Sequence, residues 1–337
     1  MSTASATTPA GAPRRLLAVA VLVPLLAALA LWAFAWPAAR TAPRDLPLGV
    51  AGPAAATAQV EQQLARHKGA FEIHHYADEA AARDAIENRT VYGAVVVTAQ
   101  GPELLTASAA SPVVAQLLQQ AVTQPAAANG TQVRTVDVVA APAKDPRGAA
   151  LNASVLPLAL AGIAAGAAVT SVGLRGTRAA VALVGASALA GMAAAGITDS
   201  WLGVVTGNWW AEAGVFGLAT LAVSSAVAGL AALLGTAGIG IASGVIMLFG
   251  NPFSAAPSAP QLLPEPAGAI GQWLPPGASA TLLRSVAYFD GAAATGPVLT
   301  LTWWAALGLG AVLLGNALKG RKKSAPSAAE RELVPAG

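Results

Sequence analysis

The sequence predicts an α-helical integral membrane protein with six transmembrane helices and a small extracytoplasmic α/β domain inserted between helices 1 and 2. Three observations lead there. Of 337 residues, 55% are hydrophobic and only 10% charged, against about 25% charged in soluble domains. Six uncharged apolar runs approach or exceed the length that crosses a bilayer core, about 20 helical residues. One stretch, 37–152, has a different composition, with ten acidic and nine basic residues. The chain has no cysteine, which excludes a disulfide framework and a thiolate metal site. Its 35 glycines lack the three-residue period of collagen.

The elements follow in order. Residues 1–15 form a cytoplasmic tail ending in Arg14 and Arg15, and 16–36 form the first span. The small-residue triplet Ala33-Phe34-Ala35 resembles a cleavage site, but this apolar run exceeds the 7–15 residues of a signal-peptide core. The other spans are Val155 to Leu174, Ala179 to Ile197, Ala213 to Leu234, a short Thr236 to Phe249, and Val298 to Leu318, within a five-helix segment 153–318 that includes an outer loop, 250–297. None of the six runs contains Lys, Arg, Asp, Glu or His, which argues against a proton-coupled pump or cation channel.

Orientation follows from the basic residues. With both termini cytoplasmic, the inner segments, including the tail 319–337, hold nine Lys and Arg, and the short outer loops hold one, Arg284. That is the positive-inside bias of a plasma-membrane protein. The basic surplus therefore reports topology, and no nucleic acid is expected as a partner. Trp36, Trp201, Trp209, Trp210, Trp303 and Trp304 fall near span ends, where interfacial aromatics belong.

The segment 37–152 reads as alternating strands and helices. Leu46–Val50, Phe71–Tyr76, Val91–Thr98, Glu103–Ala107 and Val133–Val139 are predicted strands, and Ala54–Lys68, a helix capped by Asp78, and Pro112–Thr123 are predicted helices. Such an order suggests an α/β sandwich able to fold alone. Little chemistry is legible in it. His74 and His75 are neighbours on a strand, so their side chains point to opposite faces. Asp78, Glu79, Asp84 and Glu87 alternate with Arg83 and Arg89 as on a solvated helix face, and Gly93 marks close packing. No phosphate-binding loop occurs. No catalytic set, cofactor site or metal site is predicted, and the chain is not expected to be an enzyme.

Small residues recur at four-residue spacing in Gly162-x-x-x-Gly166 and Gly240-x-x-x-Gly244, a pattern that lets helices approach closely. Within the outer loop, Thr281 to Gly291 is amphipathic, with Leu282, Leu283, Val286 and Phe289 at helical spacing, so it is expected to lie in the outer interface. Arg284, Tyr288 and Asp290 in this run are the candidate outer-gate or interface residues.

The chain resembles the type 2 ATP-binding-cassette permeases, and more closely the phage infection protein (Pip)-like branch of actinobacterial membrane proteins. The residues carrying the likeness are Asp45-Leu46-Pro47-Leu48-Gly49-Val50, Val91-Tyr92-Gly93-Ala94-Val95-Val96-Val97, Leu274-Pro275-Pro276-Gly277 and Leu283-Arg284-x-x-x-Tyr288-Phe289-x-Gly291. The resemblance implies a permease subunit that dimerises and exports a lipophilic or amphipathic compound with a separate ATPase. One departure is the loop Arg175-Gly176-Thr177-Arg178, too short for the coupling helix that such an ATPase would push. The alternative is a non-transport membrane protein presenting an extracytoplasmic binding domain for cell-envelope assembly or recognition.

Overall fold

The computed structural model describes residues 12–324 except 129 and 131. Of the expected tails, 1–11 and 325–337 lie outside the described residues. The protein is mostly helical, with one small sheet between the first and second long helices. The chain runs α1 (Ala12–Ala39), β1 (Leu46–Ala51), α2 (Ala54–Ala65), β2 (Phe71–Tyr76), α3 (Glu79–Glu87), β3 (Gly93–Thr98), β4 (Gly101–Thr106), α4 (Pro112–Ala128), β5 (Arg134–Asp137), α5 (Ala149–Ser171), α6 (Gly176–Ala195), α7 (Trp209–Leu234), α8 (Thr236–Val245), α9 (Ala267–Trp273), α10 (Pro275–Tyr288) and α11 (Thr295–Ser324).

Among the described residues, five helices are long and apolar enough to cross a membrane: Leu16–Ala39, Ala149–Ser171, Gly176–Trp201, Trp209–Leu234 and Thr295–Leu318. The third ends in a π-helical turn, Gly196–Trp201. The expected fifth span is a shorter apolar helix, Thr236–Gly250, whose last turn is also π-helical.

In the bundle α7 is the central post. Its apolar window is 67% buried, against 6% for the first span. Small residues permit this crowding. A Cβ on Gly191 of α6 would lie 2.3 Å from the Ala213 carbonyl oxygen, and one on Gly308 of α11 would lie 2.4 Å from the Ser225 carbonyl carbon. Gly162 and Gly166 of α5 press against Val223, Val227 and the carbonyls of Thr220 and Ser224 in the same way. This small-residue pair serves internal packing. Among the described residues nothing lies within 4 Å of a Cβ placed on Gly240 or Gly244, so their spacing holds no described helix.

The sheet has the order β2-β1-β3-β4-β5. Strands β2, β1 and β3 are parallel, β4 runs antiparallel to β3, and β5 is parallel to β4. Helices cover both faces. On one, Leu64 of α2 and Val114 and Leu118 of α4 pack on Leu48, Val50, Val95 and Leu104. On the other, Ala82, Ala85 and Ile86 of α3 pack on Ala51, Ala94, Val96 and Leu105. Asp78 caps α3, its carboxylate accepting from the Ala81 N–H at 2.9 Å, which satisfies one of the free donors at a helix start. Gly93 is as crowded as its place in β3 suggested, because a Cβ there would lie 2.6 Å from the Leu105 carbonyl oxygen.

The segment 250–297 differs from a surface loop. It folds into a 3₁₀ turn at Pro260–Leu262 followed by α9 and α10, and it completes both cores of the sheet. Ala259 and Leu262 join the α2/α4 side, and Phe289 joins the α3 side. Backbone bonds reinforce the junction, with Ala42 N–H donating to the Leu262 carbonyl at 3.0 Å and Arg44 N–H to that of Gln261 at 2.9 Å. The expected interfacial position of α10 is also corrected. Eleven of its fourteen residues are buried, because α5, α7, α9 and α11 surround it. Its polar residues therefore face protein and cavities, and the helix does not lie on a bilayer surface.

Candidate functional site

The fold concentrates polar chemistry around α10. Pro275 and Pro276 open this helix, at positions where the missing N–H costs nothing and the fixed φ suits a first turn. Its end is closed by Gly291, whose N–H donates to the Ser285 carbonyl at 2.9 Å. Arg284 is only 6% exposed. Its Nη2 donates to Asn152 Oδ1 at 3.1 Å and to the Ala256 carbonyl, so this guanidinium is held inside the protein. Tyr288 turns its hydroxyl to the Val204 carbonyl, donating at 2.8 Å. Asp290 is exposed, with φ of 50° in the turn after α10. Arg284 and Tyr288 thus share a buried neighbourhood that Asp290 lies outside.

A second arginine arrives from the sheet segment. Arg89 follows α3 with φ of 58°, and this left-handed turn directs the chain back toward α10. Its Nη1 donates to the Thr281 carbonyl at 3.0 Å and to Ser285 Oγ at 2.5 Å. Its guanidinium lies 5.2 Å from the centroid of the Phe289 ring, within cation–π range. Arg89 and Arg284 both line a cavity of about 240 Å³, together with Tyr92, Ser258, Gln261 and Thr281. Tyr92 donates its hydroxyl to Gln261 Oε1 at 3.0 Å.

The electrostatics of this cavity are one-sided. Among the described residues, neither arginine forms an ion pair with a carboxylate. Asp145 shares a small crevice with Arg284 and Tyr288, but its oxygens accept from the N–H groups of Ala149 and Ala150 at 2.7 and 2.9 Å, capping α5. Burial, then the neighbouring charge of Arg89, lowers the Arg284 pKa to about 10. Burial lowers that of Arg89 as well. Tyr92 and Tyr288 are raised, again mainly by burial. At neutral pH the arginines are therefore charged and the tyrosines are not, which leaves two positive charges with no counter-ion.

Thr281 also borders a much larger space. A cleft of about 980 Å³ runs along α7 and α11, lined by Leu230, Leu299, Trp303, Trp304 and Leu307, with Gln272, Trp273 and Thr281 at its polar end. Thr281 Oγ1 donates to Gln272 Oε1 at 2.6 Å, and Trp304 Nε1 donates to the Trp273 carbonyl at 2.8 Å. The cleft is at the upper end of the roughly 300–1,000 Å³ range of small-molecule sites. The arginine cavity is smaller than that range and has room for a head group.

Two features escaped sequence reasoning. Arg89 had been assigned to a solvated helix face, since nothing local ties it to a helix some 190 residues away. Glu212 adjoins the fourth apolar run, Ala213 to Leu234, yet it belongs to the first turn of α7 and is fully buried. Its Oε1 accepts from the Gly207 N–H at 2.7 Å, and its Oε2 has no partner among the described residues. The expectation that every span is free of ionisable residues is corrected here and in Gly176–Trp201, which takes in Arg178 and Asp199 near its two ends. His74 and His75 face different glutamates, Glu72 and Glu61, each at 3.6 Å. Among the described residues no three His, Asp or Glu side chains converge as a metal site would require.

Residues 14–147 match the family of ABC-2 family transporter proteins. The matched stretch takes in α1 and the whole sheet segment, and it stops short of α10. The ABC-2 match and the five apolar helices support a permease-like subunit of a multi-pass membrane protein. No curated protein and no solved structure matches the chain.

Proposed function

We propose that the chain is the permease subunit of an exporter of lipophilic or amphipathic compounds, acting in the plasma membrane as a homodimer with a separate ATPase. It has no catalytic role of its own in this reading. The observation that carries it, beside the ABC-2 match, is the apolar cleft along α7 and α11 with a polar end at Gln272 and Thr281. A compound with an apolar body and a polar end fits such a cleft. Within the ABC-2 family the likeness of 283–291 to the Pip branch favours the same reading.

The topology proposed with it has six passes, both termini cytoplasmic, and the sheet segment outside. Thr236–Gly250 counts as the sixth pass because its last turn contacts α1 and α10, while α8 starts directly after the far end of α7. Fifteen residues of helix span about 22 Å, less than the usual hydrocarbon thickness of about 30 Å. With Gly238, Ala242, Ile246 and Gly250 buried on the one face that packs against the rest of the protein, this segment need not span the lipid unaided.

Coupling to an ATPase is the part under most strain. Helices α5 and α6 are joined by only four residues, 172–175, with no intervening helix. The experiment is therefore purification of the full chain in mild detergent, together with export of a fluorescent amphiphile from cells. Co-purification of an ATPase whose nucleotide turnover rises with the amphiphile is expected. Absence of both the ATPase and export would replace the transport reading with that of a membrane-anchored binding domain. In the cysteine-free chain, Ala80→Cys should react with an impermeant maleimide in intact cells. Val172→Cys should react only after permeabilisation. Equal reaction at both positions would refute the topology.

A further inference from the structure

We propose that the cavity between Arg89 and Arg284 binds an anionic head group, phosphate or carboxylate, of an amphiphile whose apolar part occupies the α7–α11 cleft. Three observations carry the proposal. Arg284 is almost wholly buried and donates only through Nη2, to Asn152 and the Ala256 carbonyl. Arg89 donates only through Nη1, to Thr281 and Ser285. Their remaining N–H groups have no acceptor among the described residues, and both side chains line the same cavity. A buried charge is costly unless paired, and two like charges facing one cavity compound that cost. An anion placed between them relieves the repulsion and supplies acceptors for both planar forks, which suit carboxylate and phosphate oxygens.

The chemistry of the lining excludes other occupants. A cation would meet two positive charges. A neutral polar solute would leave both charges uncompensated. Tyr92, Gln261, Ser258 and Thr281 add groups that hydrogen-bond to an oxyanion without supplying a competing negative charge. Thr281 lies on the wall of both spaces, which puts the site for a head at Arg284 and the site for a tail along Leu299 and Leu307 on either side of one residue. The description of this molecule as a transported substrate rests on the exporter reading above; the anion site itself does not.

The test uses the full chain in nanodiscs of neutral phosphatidylcholine, with binding followed by tryptophan fluorescence, since Trp273, Trp303 and Trp304 border the cleft. The probes are octyl phosphate, octanol and inorganic phosphate. Octyl phosphate should bind at least about tenfold more tightly than octanol, as expected for charge-assisted hydrogen bonds. Arg89→Gln, at a partly exposed position, should erase that advantage without lowering the ligand-free melting temperature below that of Arg89→Lys. Arg284→Gln should do the same where it folds, and Arg89→Gln decides the matter where it does not. Equal binding of octyl phosphate and octanol, or an unchanged advantage in Arg89→Gln, would overturn the anion site. Inorganic phosphate binding as tightly as octyl phosphate would overturn the assignment of an amphiphile. Export that persists with no Arg89-dependent binding removes this proposal and leaves the exporter reading. Arg89-dependent binding without export does the reverse.

Discussion

Arg89 and Arg284, one from the sheet segment and one from α10, face a common cavity, and among the described residues no carboxylate stands between them. The pair sets a pH dependence whose sign can be worked out. Burial and Arg89 hold the Arg284 pKa at about 10, well below the ordinary arginine value. The other groups facing it are Tyr92 just before β3, Tyr288 one turn along α10, and Asp145 from the turn before α5. Below about 10 the guanidinium is charged and an anion gains from it. As pH rises through about 10 the charge is lost in the free protein, and the anion must then bring a proton with it. Binding of octyl sulfate, whose own charge is constant over this range, should therefore be flat up to pH about 10 and weaken above it. The Arg284 contribution to ligand-free stability should move the other way, since a depressed base penalises the folded state only while it is charged; the raised Tyr92 and Tyr288 hydroxyls pull against it, so it is read as the difference between the parent chain and Arg284→Gln. Titrations of affinity and of melting temperature against pH check both slopes.

Packing around α7 gives a prediction that separates crowded glycines from free ones. Gly191→Ala forces a Cβ to 2.3 Å from the Ala213 carbonyl oxygen and 2.7 Å from the Gly217 nitrogen. Both are backbone atoms, so α6 and α7 must move apart. A loss of about 1–3 kcal/mol is expected, typical of overpacking. Gly185→Ala in the same helix meets nothing within 4 Å and should be neutral or slightly stabilising through helix propensity. Melting temperatures of the two variants in one detergent provide the comparison.

The junction between the sheet and the 250–297 segment yields the next prediction. Phe289 is 6% exposed in a cluster with Ala82, Ala85, Ile86 and Val96, and it also lies beneath Arg89. Phe289→Ala should cost about 3–5 kcal/mol, the range for large aromatic truncations in a core. It should loosen Arg89 as well, so the preference for octyl phosphate should fall along with stability. For the same reason a fragment 37–152 should melt well below the sheet segment of the intact chain, because Leu262, Ala259 and Phe289 are absent from its cores. Hydrogen exchange at β3 in the fragment and in the whole protein measures that difference.

What the sequence disclosed and what it withheld divide along physical lines. Strand β2 was read at Phe71–Tyr76 and occupies those residues, and Asp78 caps α3, because period, β-branching and capping act over a few neighbours. Membrane-length helices are legible for the same reason. The Arg89–Arg284 pairing is a tertiary fact about two segments far apart in the chain, and a charge at i and i+4 from others is the same string whether it faces water or a cavity. Helix α10 was misplaced because its apolar stripe is only part of what it buries: Ser279, Ser285 and Arg284 go inside too, satisfied by partners such as Asn152 that no local pattern names.

Glu212 tests how a buried charge near the end of a span is accommodated. Its Oε1 holds the Gly207 N–H at 2.7 Å, while its Oε2 is buried without a partner among the described residues. Gly207 cannot shift to find another acceptor easily, since a Cβ there would already lie 2.4 Å from the Val286 carbonyl oxygen. The segment before α7 is therefore pinned to the first turn of α7 through this one carboxylate, with Gly207 packed against α10. Glu212→Ala removes the acceptor and strands the Gly207 N–H, at an expected cost of about 1–3 kcal/mol. Glu212→Gln keeps a carbonyl oxygen for Gly207 and removes the uncompensated charge, so it should be as stable as the parent chain or more so. Equal losses in the two variants, read from thermal melts in the same detergent, would mean that the negative charge itself is needed and that Oε2 meets a partner beyond the described residues. A stable Gln variant beside a weakened Ala variant would fix Glu212 as the hydrogen-bonding anchor that holds Gly207 to the start of α7.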